Sequence, residues 1–199
     1  MKKEKRPGYG IAPATPEDVA WIAGLESSVY SREDAVPEAV LKEWYAANPD
    51  GFSVVKTSAG ENIGHIDILP LRPEALAALL EGRIVEKDIP GSALFRPGER
   101  DRIRDLYVES LIMRPAGGGP SAAGLRLVEG FPCLIERICD ASRVRMIYAL
   151  AASAGGERLM KRLGFERFKE GLARADRHDI FAARFPALAE RLASWRRPS

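Results

Sequence analysis

The sequence predicts an α/β protein in which helices flank a mixed β-sheet. Segments with helical and strand-like hydrophobic spacing alternate along the chain, and a strand–loop–helix–strand unit spans residues 103–150. Because such a unit joins two parallel strands through a helical crossover, part of the sheet should be parallel. The 199 residues fit one domain with a sizeable core.

The first third of the chain supplies one strand, two helices and a hairpin. A short strand (YGIAPA) precedes a helix that should begin at Thr15, because Thr15, Pro16 and Asp18 are residue types that favour a helix start. A second helix should run from Pro37 to a Pro-Asp-Gly turn. Two β-rich runs across a short polar turn, FSVVKT and IGHIDIL, predict an antiparallel hairpin.

The remainder alternates helices and strands. A helix (RPEALAALLEG) is followed by residues 83–101, which have no strong periodicity and two Pro-Gly pairs and are therefore predicted to be a surface excursion. The clearest long strand, IRDLYVESLIM, leads through a glycine-rich loop into a helix that Pro132 should kink or split. A strand, a helix ending at Gly164, two strands and a last helix complete the order β-α-α-β-β-α-β-α-β-α-β-β-α.

Charge and composition exclude several classes of partner. The net charge of +2 argues for neither nucleic acid nor a membrane surface, and the basic ends are interpreted as solvated tails. No stretch approaches the roughly 18 apolar residues of a membrane span, and no signal peptide is visible, so a cytoplasmic location is expected by default. Cys133 and Cys139 lie six residues apart without a histidine cluster, which predicts neither a disulfide framework nor a metal site.

Glycines stand where the long strand turns into its helix. The run AGGGPSAAG, residues 116–124, leaves backbone N–H groups free to point into a common space, and the helix dipole adds partial positive charge there. Such a junction can bind phosphate. An ordinary glycine-rich turn without a ligand is the alternative.

Two segments resemble the GCN5-related N-acetyltransferase (GNAT) superfamily: ESLIMRPAGGGPSAAGLRLV, residues 109–128, and ERLMKRLGFER, residues 157–167. The first is similar to the loop that holds the coenzyme A pyrophosphate, and the second to a later helix that ends in Leu-Gly-Phe. The resemblance implies a mostly antiparallel GNAT-like sheet in one domain over residues 1–199. It also implies a helix-and-loop insertion at about 70–104 and a C-terminal helix at about 186–196.

The resemblance further implies a reaction. Acetyl-CoA would be the co-substrate, and its acetyl group would pass by direct attack to a primary amine on a small-molecule or peptide acceptor. The backbone at Leu111, Ile112 and Met113 would bind pantetheine. The pyrophosphate positions would fall on Gly118, Gly119, Ser121, Ala122, Ala123 and Gly124. Ser153 stands where relatives often carry Asn, so it either contacts pantetheine or caps its helix.

Two departures from the family pattern leave a second function open. No Arg or Gln occupies the first position of the phosphate loop. Met160 stands where many relatives have a tyrosine that protonates the departing thiolate, and a methionine cannot donate a proton. The alternative is a catalytically weak or inactive GNAT-like module that binds acyl-CoA or a partner as a sensor.

The resemblance makes Glu109 the candidate catalytic base, because a protonated amine cannot attack a thioester. A half-exposed strand residue facing a basic neighbour is the alternative. His65 and Asp67 point to the same face of their strand, since they are two residues apart, and could reach the acceptor. The alternative for His65 is an ordinary surface histidine.

The acceptor side offers fewer signals. Tyr30, Trp44 and Tyr45 could form an aromatic wall around an amine or an acyl group, or could simply pack in the core. The long stretch 70–104 could cover the acceptor cleft as a lid or form a dimer contact, so a homodimer is a further expectation.

Overall fold

The computed structural model of the protein describes residues 9–114 and 122–195, which form one seven-stranded sheet. The strands are β1 Tyr9–Pro13, β2 Phe52–Thr57, β3 Asn62–Leu69, β4 Asp105–Met113, β5 Met146–Leu150, β6 Glu166–Lys169 and β7 Ile180–Arg184. Their order across the sheet is β1-β2-β3-β4-β5-β7-β6. Neighbouring strands are antiparallel except β4 and β5, which are parallel. The predicted mixed, mostly antiparallel sheet is confirmed.

Six helices flank the sheet within the described residues. They are α1 Pro16–Val29, α2 Glu38–Ala47, α3 Pro73–Glu81, α4 Ala122–Ile138, α5 Ala154–Leu163 and α6 Phe185–Trp195. The predicted order of helices and strands is confirmed. Over the parts of the chain that the structure describes, none of the helices combines the length and the apolar character that crossing a membrane requires.

Local signals fixed two helix ends as predicted. At the start of α1, the Thr15 hydroxyl accepts a hydrogen bond from the Asp18 N–H at 3.3 Å, and the Asp18 carboxylate accepts one from the Thr15 N–H at 2.9 Å. At the end of α5, Gly164 has φ of +88°, a conformation that strains any residue with a side chain. Phe165 follows immediately and is buried in the core.

The core has two parts, one on each face of the sheet. Leu106 packs on the face covered by α4, α5 and α6, and its neighbour Tyr107 packs on the face covered by α1, α2 and α3. Successive residues of a strand point to opposite faces, so β4 contributes to both parts. The central strand β4 therefore borders both parts of the core, and the candidate site lies along this strand.

Of the kink or split predicted at Pro132, the split does not occur, because α4 is one helix from Ala122 to Ile138 with Pro132 inside it. Contacts on both sides of the proline hold the helix in place. The backbone at Gly130 approaches the Ile11 side chain too closely to leave room for a Cβ. Arg137 donates hydrogen bonds to the carbonyl oxygens of Asp50 at 2.7 Å and Phe52 at 3.0 Å.

The prediction of a surface excursion at residues 83–101 is confirmed only in part: most of these residues are exposed or half-buried, but part of the stretch enters the core. Ile89, Leu94 and Phe95 from this stretch are buried. The Trp44 indole N–H donates to the Ile89 carbonyl oxygen at 2.7 Å, which ties the stretch to α2. Short 3-10 turns carry these residues into the core, and their irregular spacing leaves no helical or strand period in the sequence.

Candidate active site

The parallel strands β4 and β5 separate near their carboxyl ends. Their ladder joins Asp105–Val108 to Met146–Ala149, and β5 then ends at Leu150 while β4 continues to Met113. On its other edge, β4 remains paired with β3. Among the described residues, no strand pairs with the β5-facing edge of β4 beyond Val108. Backbone groups along this edge can therefore accept an extended ligand as if it were a strand.

An apolar cleft of about 430 Å³ opens at this divergence. Its walls come from β4, the end of β5, the end of α1, one side of α5 along its length, and residues of α4 and α6. The apolar side chains include Leu111, Met113, Phe131, Leu159, Met160, Leu163, Leu188 and Leu192. Gly155 and Gly156 open the wall at the start of α5. Such a surface suits a long, uncharged ligand segment rather than an ion.

Glu109 reaches this cleft through an irregularity in the sheet. Asp67 lies opposite Ser110 and Ile68 lies opposite Val108, so Glu109 is the extra residue of a β-bulge. A bulge re-aims a side chain relative to the regular pleat. Glu109 is only 9% exposed, and it lines both the apolar cleft and a second cavity. The alternative of a half-exposed residue facing a basic neighbour is wrong.

The second cavity has a volume of about 590 Å³ and we call it the acidic cavity. Its acidic and basic lining residues are Glu33, Asp34, Glu86, Lys87, Glu109, Asp176, Arg177 and His178. It shares Tyr30, Glu109, Leu150 and Ala152 with the apolar cleft. The two spaces therefore meet at Glu109, and Glu86 and Lys87 reach the acidic cavity from the 70–104 stretch.

Several acids of this cavity are held by neighbours. The His178 Nε2 lies 3.1 Å from Asp34 Oδ1, and the Arg174 Nε donates to Asp176 Oδ1 at 2.9 Å. The Tyr107 hydroxyl donates a hydrogen bond to Glu86. Burial raises the pKa of Glu86 to about 7 despite that bond. Acidic side chains outnumber basic ones along the lining by five to three.

Glu109 has a strongly perturbed pKa. Burial raises it well above its usual range, and the nearby carboxyl groups of Glu26, Glu86 and Asp67 raise it further. Its Oε2 has no hydrogen-bond partner among the described residues. A buried, unpartnered carboxyl that faces a cavity is the type of group that active sites use to move protons.

Beneath this site, Glu26, His65 and Asp67 form a fully buried group, each 0% exposed. The His65 Nδ1 lies 3.2 Å from Asp67 Oδ2, and the His65 Nε2 lies 3.8 Å from Glu26 Oε1. The predicted shared face of His65 and Asp67 is confirmed, whereas the surface-histidine alternative is wrong. Their ligand atoms lie within 4.8 Å of one another, and no other group of the described side chains has this metal-site spacing. The sequence predicted no metal site.

The structure bears on the predicted pantetheine positions. Leu111, Ile112 and Met113 all line the apolar cleft and lie on β4 beyond the divergence. The Ser153 hydroxyl accepts a hydrogen bond from the Gly156 N–H at 3.0 Å, so Ser153 caps α5, which is one of the two roles predicted for it. It also lines the cleft.

The predicted pyrophosphate positions divide into two groups. Gly118, Gly119 and Ser121 lie outside the described residues. Ala122, Ala123 and Gly124 form the first turn of α4, where backbone N–H groups have no acceptor within the helix.

The three aromatic residues predicted to form a wall on the acceptor side have different positions. Trp44 is fully buried, and the Tyr45 hydroxyl donates to the Ala14 carbonyl oxygen at 3.0 Å, so both serve packing. Tyr30 lines both cavities.

Sequence reasoning missed Glu26, Glu86 and Ser110. For Glu26 one signal was available: it lies four residues after Ile22, on the apolar stripe of α1, where a carboxyl is out of place.

No protein-family model and no curated protein sequence matches the chain. Its fold, however, matches solved structures, several of which are acetyltransferases. The loading GNATL domain of CurA from Lyngbya majuscula superposes with a TM-score of 0.65 at 13% identity, covering 90% of this chain and 98% of that one. The aminoglycoside acetyltransferase AAC(6')-Ib, solved in complex with coenzyme A, superposes with a TM-score of 0.56 at 16% identity, covering 92% of this chain and 98% of that one. Ard1 from Thermoplasma volcanium superposes with a TM-score of 0.57 at 11% identity, covering 88% of this chain and 97% of that one.

The protein therefore has the fold of the GNAT superfamily, as the two segments implied. At these identities the likeness concerns the fold, and the activity must be argued from the site.

Proposed function

We propose that the protein is an acyl-CoA-dependent N-acyltransferase that transfers acetyl from acetyl-CoA to a primary amine by direct attack. The observation that carries this proposal is the position of Glu109 at the junction of an apolar cleft and an acidic cavity. A thioester in one space and a cationic amine in the other would meet at this carboxyl.

The apolar cleft fits the acyl-CoA side of the reaction. The unpaired edge of β4 at Leu111–Met113 offers backbone donors and acceptors to the amide groups of pantetheine. The apolar walls would exclude water from the thioester. The first turn of α4 offers N–H groups to a pyrophosphate, although no loop Arg or Gln assists them.

The acidic cavity fits an amine acceptor. A primary amine is cationic near neutral pH, and the carboxyl groups of Glu33, Asp34 and Asp176 at this cavity would attract it. Peptide N-termini and small amines both meet this requirement, so the charge of the cavity selects a chemical class and not an individual acceptor.

Glu109 would act as the base. Burial and the nearby carboxyl groups raise its pKa, whereas a bound ammonium stabilises the carboxylate form and lowers that pKa, so that the carboxyl proton leaves to water in the open cavity. The carboxylate then takes a proton from the ammonium, and the free amine attacks the acyl carbon. A C–N bond forms, the C–S bond breaks and the sulfur leaves with the electron pair, while the second proton that the nitrogen must lose passes through water to the departing thiolate. Alignment of the two reactants would supply much of the acceleration.

A sensor that binds acyl-CoA without turnover is the second candidate. It is favoured by Met160, which lines the cleft and cannot protonate a departing thiolate.

Calorimetric titration with acetyl-CoA, followed by thiol release in the presence of an amine panel, tests both candidates. The panel should contain monoamines, diamines and peptides with free N-termini, with N-acetylated peptides as controls. We expect acetyl-CoA to give binding heat on its own. We expect thiol release only when a free amine is also present. Binding without release would favour the sensor, and no heat at high micromolar acetyl-CoA would overturn both.

A further inference from the structure

Three ionisable side chains, Glu26, His65 and Asp67, form a closed group between α1 and β3. Glu26 lies in the last turn of α1, and His65 and Asp67 lie on one face of β3. None of the three is exposed. Each can present a ligand atom within 4.8 Å of the ligand atoms of the other two. Spacing alone does not define a metal site, so the hydrogen bonds of these atoms matter.

The buried atoms of this group are not satisfied by hydrogen bonds. Both Glu26 oxygens, His65 Nε2 and Asp67 Oδ1 have no hydrogen-bond partner among the described residues. Buried polar atoms are nearly always paired, and each exception requires a reason. A proton on Glu26 would not remove this deficit, because the new O–H would itself need an acceptor and His65 Nε2 is 3.8 Å away.

The separation between Glu26 and His65 suits a shared ion. The distance of 3.8 Å from His65 Nε2 to Glu26 Oε1 is too long for a hydrogen bond. Zinc lies about 2.0–2.2 Å from nitrogen and oxygen ligands, so two ligand atoms of one zinc ion are held roughly 3–4 Å apart. The Glu26 carboxylate and His65 Nε2 can therefore bind the same ion at their present separation.

Asp67 has the position of a carboxylate that orients a ligating histidine. Its Oδ2 lies 3.2 Å from His65 Nδ1, the ring nitrogen that does not face Glu26. A hydrogen bond from the Nδ1–H to this carboxylate fixes the tautomer in which Nε2 carries the free lone pair. Histidines that bind metal ions are almost always held in this way.

The charge of the group also favours a cation. Two carboxyl groups face one imidazole, and within the described parts of the chain neither carboxyl forms an ion pair with a lysine or an arginine. Burying a carboxylate without a compensating cation is costly. A divalent ion would offset both charges and would also occupy the unpartnered ligand atoms.

We propose that Glu26 and His65 bind a divalent transition-metal ion, that Asp67 orients His65 for it, and that the ion fastens the end of α1 to β3. An imidazole together with carboxylate oxygens suits zinc, whereas Mg²⁺ prefers oxygen ligands alone and keeps several waters, which a group closed to solvent does not offer. In the metal-free protein, where burial raises the pKa of Glu26, a proton takes the place of the ion.

The ion would steady one wall of the candidate active site without taking part in the reaction. Tyr30 follows α1, and its backbone N–H donates to the Glu26 carbonyl oxygen at 2.8 Å. Its hydroxyl lies 3.3 Å from that of Ser110 on β4, and its side chain lines both cavities. Fixing the last turn of α1 at Glu26 would therefore fix Tyr30 as well.

Metal analysis of matched variants tests the site. The full chain is unfolded with a chelator, refolded with Zn²⁺ or Mg²⁺ and desalted, because an ion closed off from solvent should enter as the chain folds. Protein produced in zinc-supplemented culture gives the same analysis without refolding. We expect about one zinc ion per chain and no retained magnesium. His65→Gln should lose the zinc, whereas His178→Gln, at the only other histidine, is the control and should keep it.

Affinities measured in competition with a coloured zinc chelator grade the three residues. Glu26→Gln and His65→Gln each remove a ligand and should weaken zinc binding at least about 100-fold. Asp67→Asn removes only the orienting carboxylate and should weaken it about 10- to 100-fold.

Thermal unfolding with and without zinc compares each protein with itself, so the effect of a substitution on folding cancels. At free zinc about 100-fold above Kd, the Tm of the unchanged protein and of His178→Gln should rise by roughly 5–10 °C. Glu26→Gln and His65→Gln should show little response. Co²⁺ in place of zinc should give a visible spectrum without a thiolate charge-transfer band, since no cysteine belongs to the proposed site.

The outcomes are independent of the transferase function. Unchanged protein that retains no zinc would overturn the site. Zinc that remains on His65→Gln, or that is lost from His178→Gln, would place the ion elsewhere and overturn it equally. None of these measurements uses acetyl-CoA or an amine, so the metal site and the proposed function can each fail without the other.

Discussion

The two cavities that meet at Glu109 are built in opposite ways. The apolar cleft is lined by aliphatic and aromatic side chains, glycines and the unpaired edge of β4, and within the described parts of the chain Glu109 at its border is its one ionisable acid. The acidic cavity is lined by several carboxyl groups, and three more ionisable side chains lie buried beside it. The central strand carries both environments within a few residues.

This difference shows which parts of the site depend on side-chain identity. Backbone groups and generic apolar side chains are sufficient for the cleft, so many sequences could form it. The acidic cavity needs carboxyl groups at particular positions, and burying them without partners lowers stability. The side chains needed for function therefore lower stability at the acidic cavity and not at the apolar cleft.

The largest expected effect concerns the residue that both cavities share. Glu109→Gln keeps the shape of the side chain but removes the proton acceptor, so kcat should fall about 100- to 10,000-fold. Thiol release measures this loss, and calorimetry should show acetyl-CoA binding within about two-fold of the unchanged protein. A variant that keeps its rate would show that the base lies elsewhere.

A charge placed at the start of α4 should act on binding. Ala122→Asp adds an anion at the first residue of α4, where it repels a pyrophosphate, and the affinity for acetyl-CoA should fall at least about ten-fold by calorimetry. Ala187→Asp is the matched control, because Ala187 is exposed in the first turn of α6. Equal affinities of the two variants would refute the phosphate site at this turn.

The buried acids should make stability depend on pH. The pKa of Glu26 is raised from 4.5 to about 9 by burial, so the folded state binds this proton more tightly than the unfolded state does. The free energy of unfolding should therefore decline as the pH rises from about 5 to 9, by up to about 1.4 kcal/mol per pH unit for one such group.

Glu26→Gln should make this decline shallower in urea titrations at pH 5, 7 and 9. Glu86 and Glu109 contribute with the same sign, so part of the slope remains. Glu38→Gln, at an exposed position of α2, is the control and should leave the slope unchanged. The same slope in the Glu26 and Glu38 variants would contradict the raised pKa.

The smallest effect is expected on the apolar side. Ser153→Ala removes the hydroxyl that accepts from the Gly156 N–H and should cost about 1 kcal/mol, or a Tm lower by roughly 2–4 °C. Ser28→Ala, an exposed hydroxyl bonded within α1, should change Tm less. Calorimetry with acetyl-CoA on the same variant then shows whether Ser153 also contacts pantetheine, as its position in the cleft allows.

The sequence by itself determined the features that depend on neighbours along the chain. The start of α1 at Thr15, the end of α5 at Gly164 and the order of helices and strands all follow from local residue types and spacing. The fold could be inferred because these local choices agree with one another.

Only the tertiary structure decided which residues are buried and which distant side chains lie close together. The packing of residues 83–101, the unbroken α4 around Pro132 and the burial of His65 all depend on segments distant in the chain. Glu26 and Glu86 lie far from Glu109 in sequence, and the fold alone brings them close enough to raise its pKa. Electrostatic effects depend on distance and on exclusion of water, and neither is encoded in the local pattern of residues.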